Sequence, residues 1–529
     1  MKETHAMERL WQSVIMTGIG DTLMGLDLIS YFFMLKGFEE HSIRFGVQDT
    51  LFASSQAEAC HWSMIKQMAL MNPYECCQHL RTTVCVWLCS LDPDSCLAEA
   101  GQVLFRVEPK VIYPLMDAVD TLCEEHLTMQ DAFEAVLIWA EKEGAFQPKA
   151  GQIMTPMHIA YMMADLVRPQ LHERVIDASC GTGNQLVAAW QHMQRARSST
   201  SWVLDSGRVF FDPQGLPRST EPALFGFDFN AMMLPPCYAH LLLCGVERPQ
   251  VRCSDALGSV FNQRMVQQEW GSIDVVLGNS PFGKYLDVPD LGATLHQAGT
   301  LDAELLFVEL TLQLLREGGR AALLVPEGVV RNTSQAAIAL RKKLVQEHRL
   351  LAVVSLPQGI FLPQANVKTS LLVFHKGEHT GDEVLFYRVA ADGYMFDARR
   401  QATPKNNDLW DLRACYAVVS GQRPPFPELT DATWWPTYAS DKRYASTHHL
   451  VPSIVEEDVN PATGERVVPF RRITGFVEDS AAVERSWFVS LEEIEATGSY
   501  SFCADTYREN MNAQSRSIRH QRLRKVKEQ

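Results

Sequence analysis

The stretch Arg174-Val-Ile-Asp177-Ala-Ser-Cys-Gly181-Thr-Gly183 decides how the 529-residue chain is read. A short apolar run ends in an acid, and glycines at 181 and 183 let the backbone turn tightly and approach a ligand ahead of a helix N-terminus. A lone Gly-x-Gly also suits an ordinary strand-to-helix turn, so its neighbours matter. Downstream lie Ala223-Leu-Phe-Gly-Phe-Asp228, Gln250-Val-Arg-Cys253, Ile273-Asp-Val-Val-Leu-Gly-Asn279 and Arg320-Ala-Ala-Leu-Leu-Val-Pro326. Leu351-Ala-Val-Val-Ser-Leu356 and Thr369-Ser-Leu-Leu-Val-Phe-His375 complete the set. These runs are apolar on both faces and alternate with helical segments, as a sheet covered by helices requires. Pro357-Gln-Gly-Ile-Phe-Leu-Pro363, between the last two, is too short for a crossover helix. An α/β fold with seven strands, only the last antiparallel, is the expectation.

Residues 1–150 read differently. Leu10, Trp11, Val14, Ile15 and then Leu23, Leu26, Leu28, Ile29, Phe32, Phe33 and Leu35 recur at helical spacing, so a helical N-terminal domain is expected. This region carries 10 Lys/Arg against 21 Asp/Glu, a net of −11 within a total of −15. A protein that grips DNA alone by its phosphates usually presents a positive surface. The charge therefore disfavours unaided nucleic-acid binding and places the acidity outside the α/β region. Arg195 to Glu221, rich in Ser, Gly and Pro, reads as a surface insertion, and Asn460-Pro-Ala-Thr-Gly-Glu465 as a turn. The last 22 residues, from Arg508, hold 7 Lys/Arg against 2 Glu. A basic or simply solvated helical tail fits them.

Thirteen cysteines, seven of them between Cys60 and Cys123 without a CxxC pair, argue against a disulfide framework. Cys85 and Cys89, one helical turn apart beside Val84, Val86 and Trp87, suit helix packing better than zinc. No metal site is expected. The charged start lacks a signal-peptide h-region, and no apolar run reaches the roughly 18–20 residues that span a membrane. A cytoplasmic protein with reduced thiols is the expectation.

The chemistry-bearing residues fall at the ends of the strand runs. Asp177 ends the first and Asp228 the second, where a carboxylate can hold a ribose hydroxyl pair. Asp255 follows the third, and Asn279-Ser280-Pro281-Phe282 follows the fourth. Carboxyl ends of strands are where open α/β sheets bind ligands, so this ordered set points to a nucleoside-type site.

This constellation resembles the S-adenosylmethionine-dependent methyltransferases that act on the amino nitrogen of a DNA base. More narrowly, it is similar to the modification subunits of type I restriction-modification systems. Gly151-Gln152-Ile-Met-Thr155-Pro156 resembles the family's GQxxTP segment, which folds over the cofactor. Asp177 to Gly183, including Thr182, resembles its DPxCGTG loop, and Asn279 to Phe282 its NPPF catalytic loop. Leu356-Pro-Gln-Gly-Ile-Phe361 with Val367-Lys-Thr-Ser370, Ala391-Asp-Gly-Tyr394 with Arg399-Arg400, Asn407-Asp-Leu409, Trp487 to Ile494 and Tyr507-Arg-Glu509 resemble its flanking segments. Glu8-Arg-Leu-Trp11 and Phe33-Met-Leu-Lys36 fit its N-terminal domain more loosely.

The resemblance implies a seven-stranded, Rossmann-like S-adenosylmethionine-dependent methyltransferase domain over 149–415. It also implies an N-terminal helical domain over 1–148 and a C-terminal extension over 416–529. Gln152, Thr155, Pro156, Asp177, Gly181, Thr182, Gly183, Asp228 and Asp255 would bind the cofactor. Asn279, Ser280, Pro281 and Phe282 would form the catalytic loop, with Phe282 stacking on a flipped adenine. Implied partners are double-stranded DNA, a separate specificity subunit, a second methyltransferase subunit and a nuclease/translocase subunit. Ser280 stands where the family has Pro, and Met154 and Ser179 also depart from its pattern. Losing a ring that fixes φ leaves open a non-catalytic scaffold that keeps the fold. A protein glutamine-N5 methyltransferase or a cytosine-N4 enzyme would use related loop chemistry.

Overall fold

The computed structural model describes residues 2–45, 58–146, 153–199, 223–246, 249–268, 271–283, 285, 288–377, 381–420, 458–459, 466–467, 486–503 and 506–507. Gln152, most of the Ser/Gly/Pro-rich insertion, the turn at Asn460 to Glu465 and the basic tail from Arg508 lie outside the described residues.

All seven expected strand runs form strands: β1 (Arg174–Asp177), β2 (Ala223–Asp228), β3 (Gln250–Cys253), β4 (Ile273–Asn279), β5 (Leu315–Pro326), β6 (Arg349–Ser355) and β7 (Thr369–His375). The sheet nevertheless has nine strands. β8 (Glu383–Arg388) pairs parallel with β6. Two short antiparallel pairs follow, β9 (Asp392–Tyr394) with β10 (Ala402–Asn407) and β11 (Asp458–Val459) with β12 (Arg466–Val467). β13 (Ser486–Ser490) then pairs antiparallel with β8. The order is β13-β8-β6-β7-β5-β4-β1-β2-β3.

The expectation of seven strands with one reversal is thus corrected. β7 is antiparallel to both neighbours, as expected, but β13 is a second reversed strand. The physical reason lies in β6. Its central residues, Leu350 to Val354, are buried throughout, so an exposed edge there would leave apolar side chains and unpaired backbone in water. β8 covers that edge with an equally buried Val-Leu-Phe-Tyr run. β5 also begins five residues earlier than Arg320. Its pairing with β4 shifts register between Ile273 and Val275, and Gly318 takes φ +73° there. Gly318-Gly319 lies at this irregularity, a bulge inside the strand.

The chain divides into two compact units. The first comprises Met1–Met154, Asp177–Trp190 and Leu224–Ala256. Its N-terminal stretch is helical, including Lys2–Ile15, Thr22–Phe45, Pro109–Glu125 and Met129–Lys142. Thr128 and Asp131 close a reciprocal capping box on the last of these. The helix Leu234–Leu243 between β2 and β3 is buried on nearly all sides, because Thr22–Phe45 packs against it. Gly37 permits the approach, since a Cβ there would lie 3.0 Å from Leu243 Cδ2. All thirteen cysteines are free, and Cys85 lies buried in a helix of this unit.

The second unit comprises Thr155–Ile176, Gln191–Ala223 and Leu257–Gln529. Within it β1 and β4 are parallel neighbours, with Val175 opposite Val275. β4 is buried along its whole length. Among the described residues no helix is long and apolar enough to cross a membrane, and no three His, Cys, Asp or Glu side chains cluster as metal ligands.

A buried ion pair ties the base of this unit together. Arg320 of β5 donates from Nη1 and Nη2 to Glu173, just before β1, at 2.8 and 2.6 Å, and Nη2 also donates to the Arg168 carbonyl. Breaking such a pair leaves an uncompensated buried charge, which costs about 3–5 kcal/mol. Glu173→Ala should therefore lower the thermal midpoint markedly, and Glu173→Gln, which keeps an acceptor, should lower it less. Equal midpoints for wild type and Glu173→Ala in a calorimetric scan would contradict this assignment.

Candidate active site

In the first unit, the loop after β1 is held by its own backbone and by Asp228. Asp177 accepts a hydrogen bond from the Ser179 N–H at 3.0 Å, and the Cys180 N–H donates to the Phe227 carbonyl at 2.9 Å. The Gly181 N–H donates to Asp228 Oδ2 at 2.9 Å, while Asp228 Oδ1 accepts from the Asn230 N–H, also at 2.9 Å. Gly181 and Gly183 have φ of +52° and +84°, the left-handed region that glycine adopts without strain. Gly183 is doubly constrained, because a Cβ there would lie 2.8 Å from Cys237 Sγ. Thr182 is buried, and the helix Asn184–Ser199 starts directly after Gly183.

His240, wholly buried, lies with Nδ1 3.1 Å from the Thr182 carbonyl and Nε2 3.5 Å from Glu134 Oε1. The carbonyl can only accept, so Nδ1 carries the proton in this geometry. The helix Leu234–Leu243 thereby braces the glycine loop through one imidazole.

The electrostatics of this pair of strand ends are unusual. Asp177 and Asp228 are both buried. Burial pushes the Asp177 carboxyl up to about 7; the Ser179 N–H opposes this and the nearby Asp228 adds to it. Burial also raises Asp228, against the hydrogen bonds from Asn230 and Gly181. Asp177 Oδ2 is buried with no hydrogen-bond partner among the described residues. A concentration of acceptors with an unsatisfied oxygen suits a ligand that brings donors or positive charge. Asp255 lies two residues beyond β3 and is exposed. Phe229, which sequence reasoning passed over, follows Asp228 and is 62% exposed. Strand periodicity gives no signal for it, because period 2 would put 227 and 229 on one face and Phe229 lies just past the end of β2.

In the second unit, Thr155 is buried and Pro156 precedes the helix Met157–Val167. That helix is fixed by the segment quoted above as Ala391-Asp-Gly-Tyr with Arg399-Arg400. Asp392, fully buried, lies 2.9 Å from His158 Nε2 and also accepts from Arg400 Nη2. Burial opposes the ionisation of Asp392, but His158 and Arg400 outweigh it and hold the carboxyl below its usual range. Burial lowers the His158 imidazole, with Asp392 acting in the opposite sense. Arg400 packs over the Tyr394 and Phe396 rings at 5.1 and 5.4 Å.

Asn279 is the last residue of β4 and 9% exposed. Ser280 is 3% exposed, and both its N–H and its hydroxyl donate to the Leu324 carbonyl, each at 3.0 Å. A proline at this position has no N–H to give. Pro281 and Phe282 are half-buried, and Gly283 follows with φ +103°. The structure thus collects Asp177, Gly181, Thr182, Gly183 and Asp228 in one unit, and Thr155, Pro156 and the Asn279–Phe282 loop in the other.

Comparison with known proteins follows the same lines. The family model described as N-6 DNA Methylase matches residues 125–424. The chain is 28% identical over 268 residues to the type I restriction enzyme EcoEI methylase subunit of Escherichia coli, covering 50% of this chain and 49% of that protein. It is 27% identical over 280 residues to the EcoKI methylase subunit of Escherichia coli strain K12, covering 51% and 50%. The matched region is therefore about half the length of these curated relatives. Among solved structures, a type I restriction-modification system methyltransferase subunit from Streptococcus thermophilus superposes with a TM-score of 0.54 at 14% identity, over 94% of this chain and 98% of that one. A chain from a structure on assembly of the type I R-M system gives 0.56 at 18% identity, over 98% and 95%. At these identities the likeness bears on the fold alone.

The glycine loop yields a direct test. Alanine at a left-handed position costs about 1–2 kcal/mol, and the contact with Cys237 adds to that. Gly183→Ala should lower the melting temperature, and adding Cys237→Ala should recover part of the loss, because only the clash is relieved. Identical melting curves for Gly183→Ala and wild type would contradict the geometry.

Proposed function

The chain belongs to the N-6 DNA methylase family, and from that premise we propose that it transfers a methyl group from S-adenosylmethionine to the N6 amine of an adenine in DNA, as the modification subunit of a type I restriction-modification system. The observation that carries this reading is the pairing of two motifs at strand ends. A glycine loop hydrogen-bonded to Asp228 follows β1, and Asn279-Ser280-Pro281-Phe282 follows β4.

The residues fit the cofactor. Its ribose offers a hydroxyl pair to the Asp228 carboxylate, and its positive charge suits the two buried carboxylates. Gly181 and Gly183, both at positive φ, leave room for close approach, and the resemblance to the family assigns Thr182, Thr155, Pro156 and Gln152 to the cofactor as well. Asp255 would accept from the adenine amine, and exposed Phe229 offers a stacking face. When bound, S-adenosylmethionine supplies an electrophilic methyl group.

The rest is work for this chain's residues. An exocyclic adenine amine is a poor nucleophile because its lone pair is delocalised into the ring. Acceptors on its two N–H groups favour the tetrahedral form that attacks. The Asn279 side-chain oxygen and the Ser280 carbonyl are the acceptors in this proposal. Phe282 stacks on a base flipped from the duplex, since the amine is unreachable inside the stack. Catalysis is then mostly positioning in line with the methyl group. Two hydrogen bonds from Ser280 to Leu324 stand where a proline ring would restrict the loop, which favours an active enzyme over a scaffold.

Target choice falls to a specificity subunit, with a second copy of this chain completing the grip on double-stranded DNA. The net charge of −15, with −11 of it in residues 1–150, agrees with weak unaided binding. Incubating the chain with labelled cofactor and DNA, with and without that partner, tests this. Label should enter DNA only with the partner present, and Asn279→Ala should reduce the rate by about a thousandfold, the scale seen on removing a preorganised group. Unlabelled DNA under both conditions would refute the reading.

A pH dependence follows from Asp177, whose carboxyl stands at about 7. A cationic ligand stabilises the ionised carboxylate, so its affinity should fall as pH drops below about 7 and level off above it. Asp177→Asn should flatten that profile, and an unchanged slope in calorimetric titrations would count against the site.

A further inference from the structure

The segment from Asn279 to Gly283 is fixed at both ends, and the far anchor is a residue that nothing in the motif announces. At the near end, Asn279 pairs with Leu324 in the β4–β5 ladder, and Ser280 adds its two hydrogen bonds to the same Leu324 carbonyl. At the far end, Gly283 is held on both sides of its peptide. Its carbonyl accepts from the Ala303 N–H at 2.7 Å, and its N–H donates to Glu304 Oε2 at 3.2 Å. The Tyr285 N–H continues the contact by donating to the Leu301 carbonyl at 2.7 Å.

Glu304 opens the helix Ala303–Leu314, where an acidic residue in the first turn is commonplace. Its surroundings are less ordinary. Among the described residues it forms no ion pair, although it is half-buried. Burial pushes its carboxyl upward, and its own N–H and that of Gly283 pull it back. Oε1 lies 3.1 Å from the position a Cβ would take on Gly328, in the short helix Glu327–Arg331 that follows β5. The carboxylate therefore occupies a slot that remains open because residue 328 has no side chain. A partly desolvated carboxylate without a cation persists where its hydrogen bonds have a use.

We propose that Glu304 is a positioning residue for the catalytic loop, its carboxylate holding Gly283 so that the Ser280 carbonyl and the Phe282 ring are presented at a fixed span. The proposal rests on the function assigned above. It explains how the loop stays ordered with serine in place of proline. The ring's restriction is replaced by hydrogen bonds at each end, from Ser280 to Leu324 and from Gly283 to Glu304.

The test uses the full chain with its specificity partner and target DNA, comparing wild type, Glu304→Ala, Glu304→Gln and Gly328→Ala. Amide exchange is read for the peptide covering 279–285, and methyl transfer is measured in parallel. Glu304→Ala should speed exchange there roughly tenfold or more and leave other peptides unchanged. It should lower kcat by roughly tenfold or more while the cofactor KM stays within about twofold, the split expected of a transition-state effect. Glu304→Gln should restore both values, since an amide oxygen accepts the same hydrogen bond. Gly328→Ala, which displaces the carboxylate without removing it, should shift both in the direction of Glu304→Ala, and it serves as the deciding variant if Glu304→Ala does not fold. Unchanged exchange in Glu304→Ala and Gly328→Ala, or a Gln variant as impaired as the Ala variant, would overturn the proposal. A wild-type chain that transfers no methyl group defeats the functional reading instead, and exchange at 279–285 still decides the role of Glu304.

Discussion

Two carboxylates buried at the ends of neighbouring strands are the constraint around which the first unit is built. Asp177 and Asp228 can remain there only because backbone N–H groups from Ser179, Gly181 and Asn230 point at them. Gly181, which donates one of them, and Gly183 take left-handed conformations in the turn that follows. The helices outside follow from the same requirement. The loop must be held from behind, and Cys237 and His240 do so from the helix Leu234–Leu243, which Thr22–Phe45 covers. Stability and binding are thus set against each other. Folding leaves an oxygen of Asp177 without a hydrogen-bond partner among the described residues, and in the proposed reading a donor-bearing ligand with positive charge would satisfy it.

The second unit meets a different demand. Under the proposed function, its Asn279–Phe282 loop would have to hold two acceptors still, and the family pattern has a proline where Ser280 stands. In the proposed reading, Ser280 meets that demand by hydrogen bonding instead of by a ring. Its buried hydroxyl and N–H both reach one carbonyl of β5, so the strand pairing that forms the sheet extends one residue into the loop. The Asp392–His158–Arg400 cluster serves the Thr155-Pro156 segment in a similar way, by fixing the helix directly behind it.

Much of this was legible in the sequence. The seven runs and the reversal of β7 follow from buried β-rich patterning and from the short link at Pro357. The motif residues at the ends of β1, β2 and β4 could be placed because an acid or asparagine there interrupts an otherwise apolar run. What escaped were features that depend on partners distant in sequence. Glu383 to Arg388 reads as a mixed segment until β6 is seen to need a covered edge. The extension of β5 back from Arg320 to Leu315 depends on a register shift against β4 that no local pattern marks. Glu304 resembles any acidic residue at a helix start, and only the fold brings it to Gly283. The tail from Arg508, though legible as a basic segment, lies outside the described residues.

The acidity that first argued against DNA belongs mostly to residues 1–150, and in this account it limits the chain acting alone rather than the assembled enzyme. Sequencing of the host's DNA at single-base resolution, comparing the native gene with one encoding Asn279→Ala, tests that account most directly. It predicts N6-methyladenine at a defined sequence in the native host and its loss in the variant. An identical methylation map in both, or methylation confined to cytosine, would contradict it.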